Sequence, residues 1–210
     1  MPDIITFGII GFSVLFSFTC FQNQDRFYKH AFIPERIYNH KEHYRFLSHA
    51  FVHGDEIHLF FNMLGLYFFG TELESFFTSH YSPFVGKLIF LVFYTSSIYA
   101  SSLPQYLKNK SVSGHVSVGA SGAVNAVVFA YIMIYPTSKL GLLLLPFMIP
   151  AWIFGVVYLG ISYYLATRNV KNRGFDRIDH AAHFWGASYG ILFICLLEPE
   201  LITRFLEKIF

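Results

Sequence analysis

Ser121 stands between small residues, Gly119-Ala120-Ser121-Gly122, at the head of an apolar run, VSVGASGAVNAVVFAYIMIYP, residues 116–136. A serine in that setting has two uses. It lets a second helix approach closely, or it is a nucleophile, which requires a neighbouring base to accept its proton. His180 and His183 open the last apolar run and are the candidate bases. His183 is followed by Gly186 and Gly190, a GxxxG spacing that lines the same helix face one to two turns deeper. The run that holds Ser121 has its own small face, Gly119, Gly122, Ala123 and Ala126. Packing those faces together brings an imidazole to Ser121. Acyl transfer also needs donors for the oxyanion. His58 and Asn62 lie four residues apart, hence on one helical face, and Asn62 carries an amide N–H.

The elements that must deliver these residues are membrane helices. The 210 residues are 54% hydrophobic and only 13% charged, where a soluble domain carries about a quarter charged residues. Apolar runs fall near 4–21, 57–77, 84–103, 118–135, 140–165 and 179–198. Each approaches the roughly 17–25 residues that a spanning helix needs, and the second is the most polar, with His58, Asn62, Glu72 and Glu74. The expectation is an all-α, polytopic bundle of six spans in one domain, residues 1–210. The second, fourth and sixth spans then start from one face. His58, Asn62, Ser121 and His183 share one shallow depth, where polar residues are costly and usually functional.

The first run begins Met1-Pro2-Asp3 without a basic region and reads as a retained span rather than a leader. Cys20 and Cys195 lie in or beside apolar runs and read as packing residues. A net charge of +2 is too small to indicate nucleic acid. The long first loop, 22–56, is aromatic and mixed in charge, which suits partly inserted structure. In the fifth run, Pro146 and Pro150 predict a kink. The polar segment 166–178 after it reads as a mobile cap, and span five as the helix that yields laterally to substrate.

These residues resemble the rhomboid intramembrane serine proteases, nearly throughout the chain and in order. HLFFN, 58–62, is similar to the family's HxxxN; GASG, 119–122, to its GxSG; AHFWGASYG, 182–190, to its AHxxGxxxG. HAFVHGDEIH, 49–58, fits the histidine spacing that precedes the family's oxyanion histidine, and Gly70 and Glu74 resemble a glycine and glutamate of its second span. The resemblance implies a Ser121–His183 dyad without an acid. It implies oxyanion donors at His58, Asn62 and the Ser121 N–H, assisted by Ala120, and close helix packing at Gly119, Gly122, Gly186 and Gly190. Substrates would be single-span membrane proteins within the lipid bilayer, cut where their helix unwinds, after small residues. No cofactor or metal is implied, and the expected address is a bacterial inner membrane.

Two positions depart from the pattern. Tyr44-Arg45 stands where the family often has Trp-Arg. Asn125 stands where an aromatic often stacks on the catalytic histidine, and a hydrogen bond from Asn125 to His183 would be another way to fix its tautomer. Charge conflicts with the orientation that the resemblance implies, an N-terminus in the cytoplasm. Of the 15 Lys and Arg, 11 fall on the Ser121 side, and the positive-inside rule would place that side in the cytoplasm. Two other classes are open. One is a non-catalytic relative that binds membrane helices. The other is a histidine-box metalloenzyme built on His49, His53, His180 and His183, which lacks the adjacent histidine pairs that such sites use.

Overall fold

Many large apolar side chains point outward in this protein, and several small or polar ones are buried beside its apolar core. The computed structural model describes residues 3–141, 148–167 and 179–210. It runs α1 (Ile4–Phe21), α2 (Gln24–His30), α3 (Pro34–His40), α4 (Arg45–Ser48) and a 3-10 turn, His49–Phe51. Then come α5 (Glu56–Gly65), a π turn at Leu66–Gly70, α6 (Thr71–His80), α7 (Pro83–Asn109) and α8 (Ser121–Ile134). A two-stranded antiparallel ribbon, β1 (Lys139–Gly141) with β2 (Met148–Pro150), precedes α9 (Ala151–Thr167), α10 (His180–Leu197) and α11 (Glu200–Ile209). Phe12, Leu15, Leu88, Val92, Val156, Ile161, Leu192 and Leu196 are exposed, whereas Thr6, Ser13, Ser17, Glu74, Ser97 and Ser162 are buried. That inversion suits a multi-pass integral membrane protein, because a water-soluble monomer rarely exposes so much apolar surface.

Among the described residues, three helices are long and apolar enough to cross a membrane: α1, α7 and α10. The other three expected spans differ from simple rods. The second is divided into α5, the π turn and α6, and it carries Glu72 and Glu74. α8 has 14 residues, about 21 Å of helix, shorter than the roughly 30 Å hydrocarbon core. α9 starts at Ala151, eleven residues later than the apolar run, because Lys139–Gly141 and Met148–Pro150 pair as strands. Pro150 therefore ends β2 and does not kink a helix, Pro146 lies outside the described residues, and so do residues 168–178 of the cap expected at 166–178. Apart from this ribbon the described elements are helices, in keeping with the all-α expectation. α11, amphipathic and unanticipated, follows Pro199.

The first loop is folded, as its composition suggests. Buried Arg45 is its centre, with Nη1 donating to the carbonyls of Tyr28 (2.8 Å) and Ala31 (2.7 Å) and Nε to Glu42 (2.5 Å). Such charge-assisted bonds hold three short helices that could not persist alone. The loop is then stitched to the strand of chain entering α8: Phe32 and Ser117 exchange backbone hydrogen bonds, and the Gly119 N–H donates to the His49 carbonyl at 2.9 Å. At the far side, buried Glu74 accepts from the N–H groups of Ile5 and Thr6 at 3.1 and 2.8 Å, capping the start of α1.

α8 runs through the middle of the bundle, with α10 against it at backbone distance. A Cβ built on Gly186 would lie 2.0 Å from the Gly122 carbonyl oxygen, and one on Gly190 would lie 2.2 Å from that of Ala126. On the other flank, a Cβ on Gly122 would meet the Ser101 hydroxyl of α7 at 2.4 Å. Gly186→Ala is thus expected to cost about 1–3 kcal/mol through overpacking against unyielding backbone. Gly160→Ala, on α9 with nothing within 4 Å, should be neutral or gain about 0.5–1 kcal/mol. Thermal midpoints of the two variants in detergent check the contrast; equal midpoints would contradict it.

Candidate active site

Ser121 is the first residue of α8, and its Oγ lies 2.8 Å from His183 Nε2. The serine reaches that place through Gly119, whose φ of +113° is a conformation that only glycine adopts without strain. Any side chain at residue 119 would also strike the His58 ring, since a Cβ there would lie 2.6 Å from Cε1 and 2.7 Å from Nε2. Gly119 and Gly122 thus serve different ends: the first admits the His58 ring, the second admits α7.

His183 sits one turn into α10, which begins with Asp179 as N-cap, accepting from the Ala182 N–H at 3.0 Å. The same carboxylate accepts from Gln105 Nε2 of α7 at 2.8 Å and from the Ser117 hydroxyl at 3.2 Å. Asp179 thereby ties the start of α10 to α7 and to the entry of α8, which fixes where the imidazole arrives. His183 Nδ1 faces the Tyr158 hydroxyl of α9 at 3.2 Å. Asn125 does not bond His183; its amide donates to the Ser121 carbonyl at 2.8 Å. His180 is at the first position of α10, its ring 6.1 Å from that of His183.

His58 and Asn62 share one face of α5. The His58 N–H is capped by Asp55 Oδ1 at 2.7 Å, and Gly54 N–H donates to His58 Nδ1 at 3.4 Å. With Nδ1 accepting, the ring proton is on Nε2, the atom that lies against Gly119. Asn62 is buried and spends one amide hydrogen on the His58 carbonyl at 2.8 Å, leaving its second as a donor. The Ala120 N–H is aimed elsewhere, at His53 Nε2, 3.4 Å away.

His53 completes a chain of bonds that the sequence reading missed. Its Nε2 accepts from Ala120, so Nδ1 carries the proton and donates to the Ser17 hydroxyl at 2.9 Å, which in turn donates to the Phe51 carbonyl at 2.9 Å. The imidazole is neutral in that arrangement. Burial holds its pKa down at about 3, and burial holds that of His49, whose Nδ1 faces the Arg45 carbonyl at 2.9 Å, at about 4. Behind Ser121 is a cavity of about 20 Å³ lined by Ser101, Ser117, Gly122 and Asp179 among others, room for one water molecule.

A rhomboid domain model matches residues 40–200. The chain belongs to the rhomboid family. It is 29% identical to RHOMBOID-like protein 12, mitochondrial, of Arabidopsis thaliana, over 68% of this chain and 43% of the relative. Presenilin-associated rhomboid-like protein A, mitochondrial, of Danio rerio is 31% identical over 69% of this chain and 35% of the relative. Rhomboid protein 1, mitochondrial, of Saccharomyces cerevisiae is 31% identical over 70% of this chain and 40% of the relative. The chain thus spans about two fifths of the length of these curated rhomboid relatives. All three are mitochondrial, which gives the expected bacterial inner membrane no support.

The histidine-box alternative finds no geometry. His53 is held by Ser17 and Ala120, and among the described residues no group of three or more His, Cys, Asp or Glu is placed to hold a metal. Among the residues missed, Asp179 had a legible signal, an Asp just before an apolar helix. Tyr158 had none.

The depressed histidines make stability depend on pH. An unfolded histidine titrates near 6.5, so between that value and about 4 the unfolded chain binds protons that His49 and His53 refuse. Stability is full above about pH 6.5 and falls as pH falls. At pH 5 the loss should be on the order of 2 kcal/mol for each histidine. Thermal melts from pH 7.5 to 5 check this, and a midpoint that holds constant or rises on acidification would contradict it.

Proposed function

We propose that this rhomboid-family chain is an intramembrane serine endopeptidase acting on single-span membrane proteins. The observation that carries the reading is the 2.8 Å contact between Ser121 Oγ and His183 Nε2. His183 Nε2 takes the serine proton as Oγ attacks the scissile carbonyl carbon. The carbonyl oxygen becomes an oxyanion, met by the His58 Nε2–H, the second amide hydrogen of Asn62 and the Ser121 N–H at the helix start. Ala120 contributes an N–H only if it leaves His53. The protonated Nε2 then gives its proton to the departing amide nitrogen. A water from the small cavity beside Ser121 hydrolyses the acyl-enzyme by the same steps in reverse roles.

In this reading the residues form one six-span membrane domain, 1–210, in which the fourth span begins with extended chain and α8, shorter than the hydrocarbon core, starts below the membrane surface. That places the dyad within the bilayer and selects substrates whose helix unwinds there. Gly119, Gly122, Gly186 and Gly190 serve by letting α5, α7 and α10 close on α8. Small residues before the cut fit so narrow a site. No metal or cofactor enters the mechanism. The alternative, a non-catalytic binder of membrane helices, leaves the Ser–His contact without a use.

Ser121→Ala and His183→Ala should each abolish cleavage of a model single-span substrate in proteoliposomes, and the double variant should be no worse than either. Substantial cleavage by Ser121→Ala would refute the reading. Asn62→Ala should lower kcat by about 10²–10³ with little change in KM, since its donor acts on charge that exists only in the transition state. An unchanged kcat would return Asn62 to a packing role.

A further inference from the structure

We propose that Tyr158 is the positioning residue that holds His183 as a base, in the place that an acid side chain occupies in a three-membered serine unit. The inference rests on the serine-protease reading above. For His183 Nε2 to accept the Ser121 proton, the neutral ring must carry its hydrogen on Nδ1. That hydrogen needs an acceptor, and the atom 3.2 Å from Nδ1 is the Tyr158 phenol oxygen.

Two other polar side chains near His183 make their bonds elsewhere, and Tyr158 is the one bonded at Nδ1. Asn125 donates its amide to the Ser121 carbonyl. The Asp179 carboxylate, one turn before His183, is engaged by Gln105, Ser117 and the Ala182 N–H. Tyr158 itself is held firmly. Its ring packs against Phe129 of α8, with centroids 5.7 Å apart, and Phe154 of α9, at 5.5 Å. The Asn125 and Ser162 side chains flank its oxygen. A neutral phenol also suits the depth. A carboxylate there would carry a heavy desolvation cost, while a phenol fixes the tautomer and ring plane without a buried charge. Because Tyr158 is on α9 and His183 on α10, the base is oriented only while those two helices stay packed.

The test is Tyr158→Phe, which deletes one oxygen and keeps the ring between Phe129 and Phe154. Two readouts are taken on the purified full chain in nanodiscs. Nitrogen-15 NMR of histidine-labelled protein, with the His183 signals assigned by their loss in His183→Gln, should report the Nδ1–H tautomer in wild type. In Tyr158→Phe it should report a mixture. Cleavage of a single-span substrate should show kcat falling roughly tenfold, the worth of one neutral hydrogen bond, with KM within about twofold and the thermal midpoint unchanged. An unchanged tautomer, or an unchanged kcat, overturns the proposal. If wild type cleaves no substrate, the protease reading fails while the tautomer measurement still decides whether Tyr158 orients His183.

Discussion

Between Gly122 and Gly186 the backbones of α8 and α10 come so close that a Cβ on residue 186 would lie 2.0 Å from the Gly122 carbonyl oxygen. Lipid tails are as apolar as leucine, so no hydrophobic effect presses two membrane helices together; close packing of small residues does. That contact is one residue from Ser121 on one helix and three residues from His183 on the other. It therefore sets the distance between Ser121 and His183. The Gly190 contact with Ala126, a turn deeper, keeps the helices from pivoting.

Around this contact every neighbour takes a share of the positioning. The first loop, organised on Arg45, holds Gly119 through the His49 carbonyl. Asp179 sets the start of α10 by bonding to α7 and to the loop before α8. α5 lays the His58 ring on the one residue that has no side chain to oppose it. The polar groups at the centre are neutral or hydrogen-bonded, which is what a low-dielectric setting requires of them.

The sequence made the approach of His183 to Ser121, the glycine faces and the shared face of His58 and Asn62 legible, because each rests on a fixed spacing along one helix. What it hid depends on contacts between elements distant in the chain. Tyr158 is one aromatic among many in an apolar run, and only the packing of α9 on α10 distinguishes it. His53 read as part of a spacing pattern, while its bonds to Ser17 and Ala120 belong to the tertiary fold. The late start of α9 was masked by hydropathy, which is the same for a paired apolar strand and a helix turn. A bond from Asn125 to His183 was one way to fix the ring; the Asn125 amide is instead satisfied four residues back along its own helix, at the Ser121 carbonyl, a local bond within reach of an asparagine inside a helix.

The central claim is that Ser121 is chemically activated by His183 and is not merely beside it. Treatment of the reconstituted protein with a small fluorophosphonate, followed by peptide mass mapping, tests this without knowledge of any substrate. The account predicts a phosphonyl adduct on Ser121, lost in His183→Ala, with the other serines unmodified. No adduct on Ser121, or one that persists undiminished in His183→Ala, would contradict it.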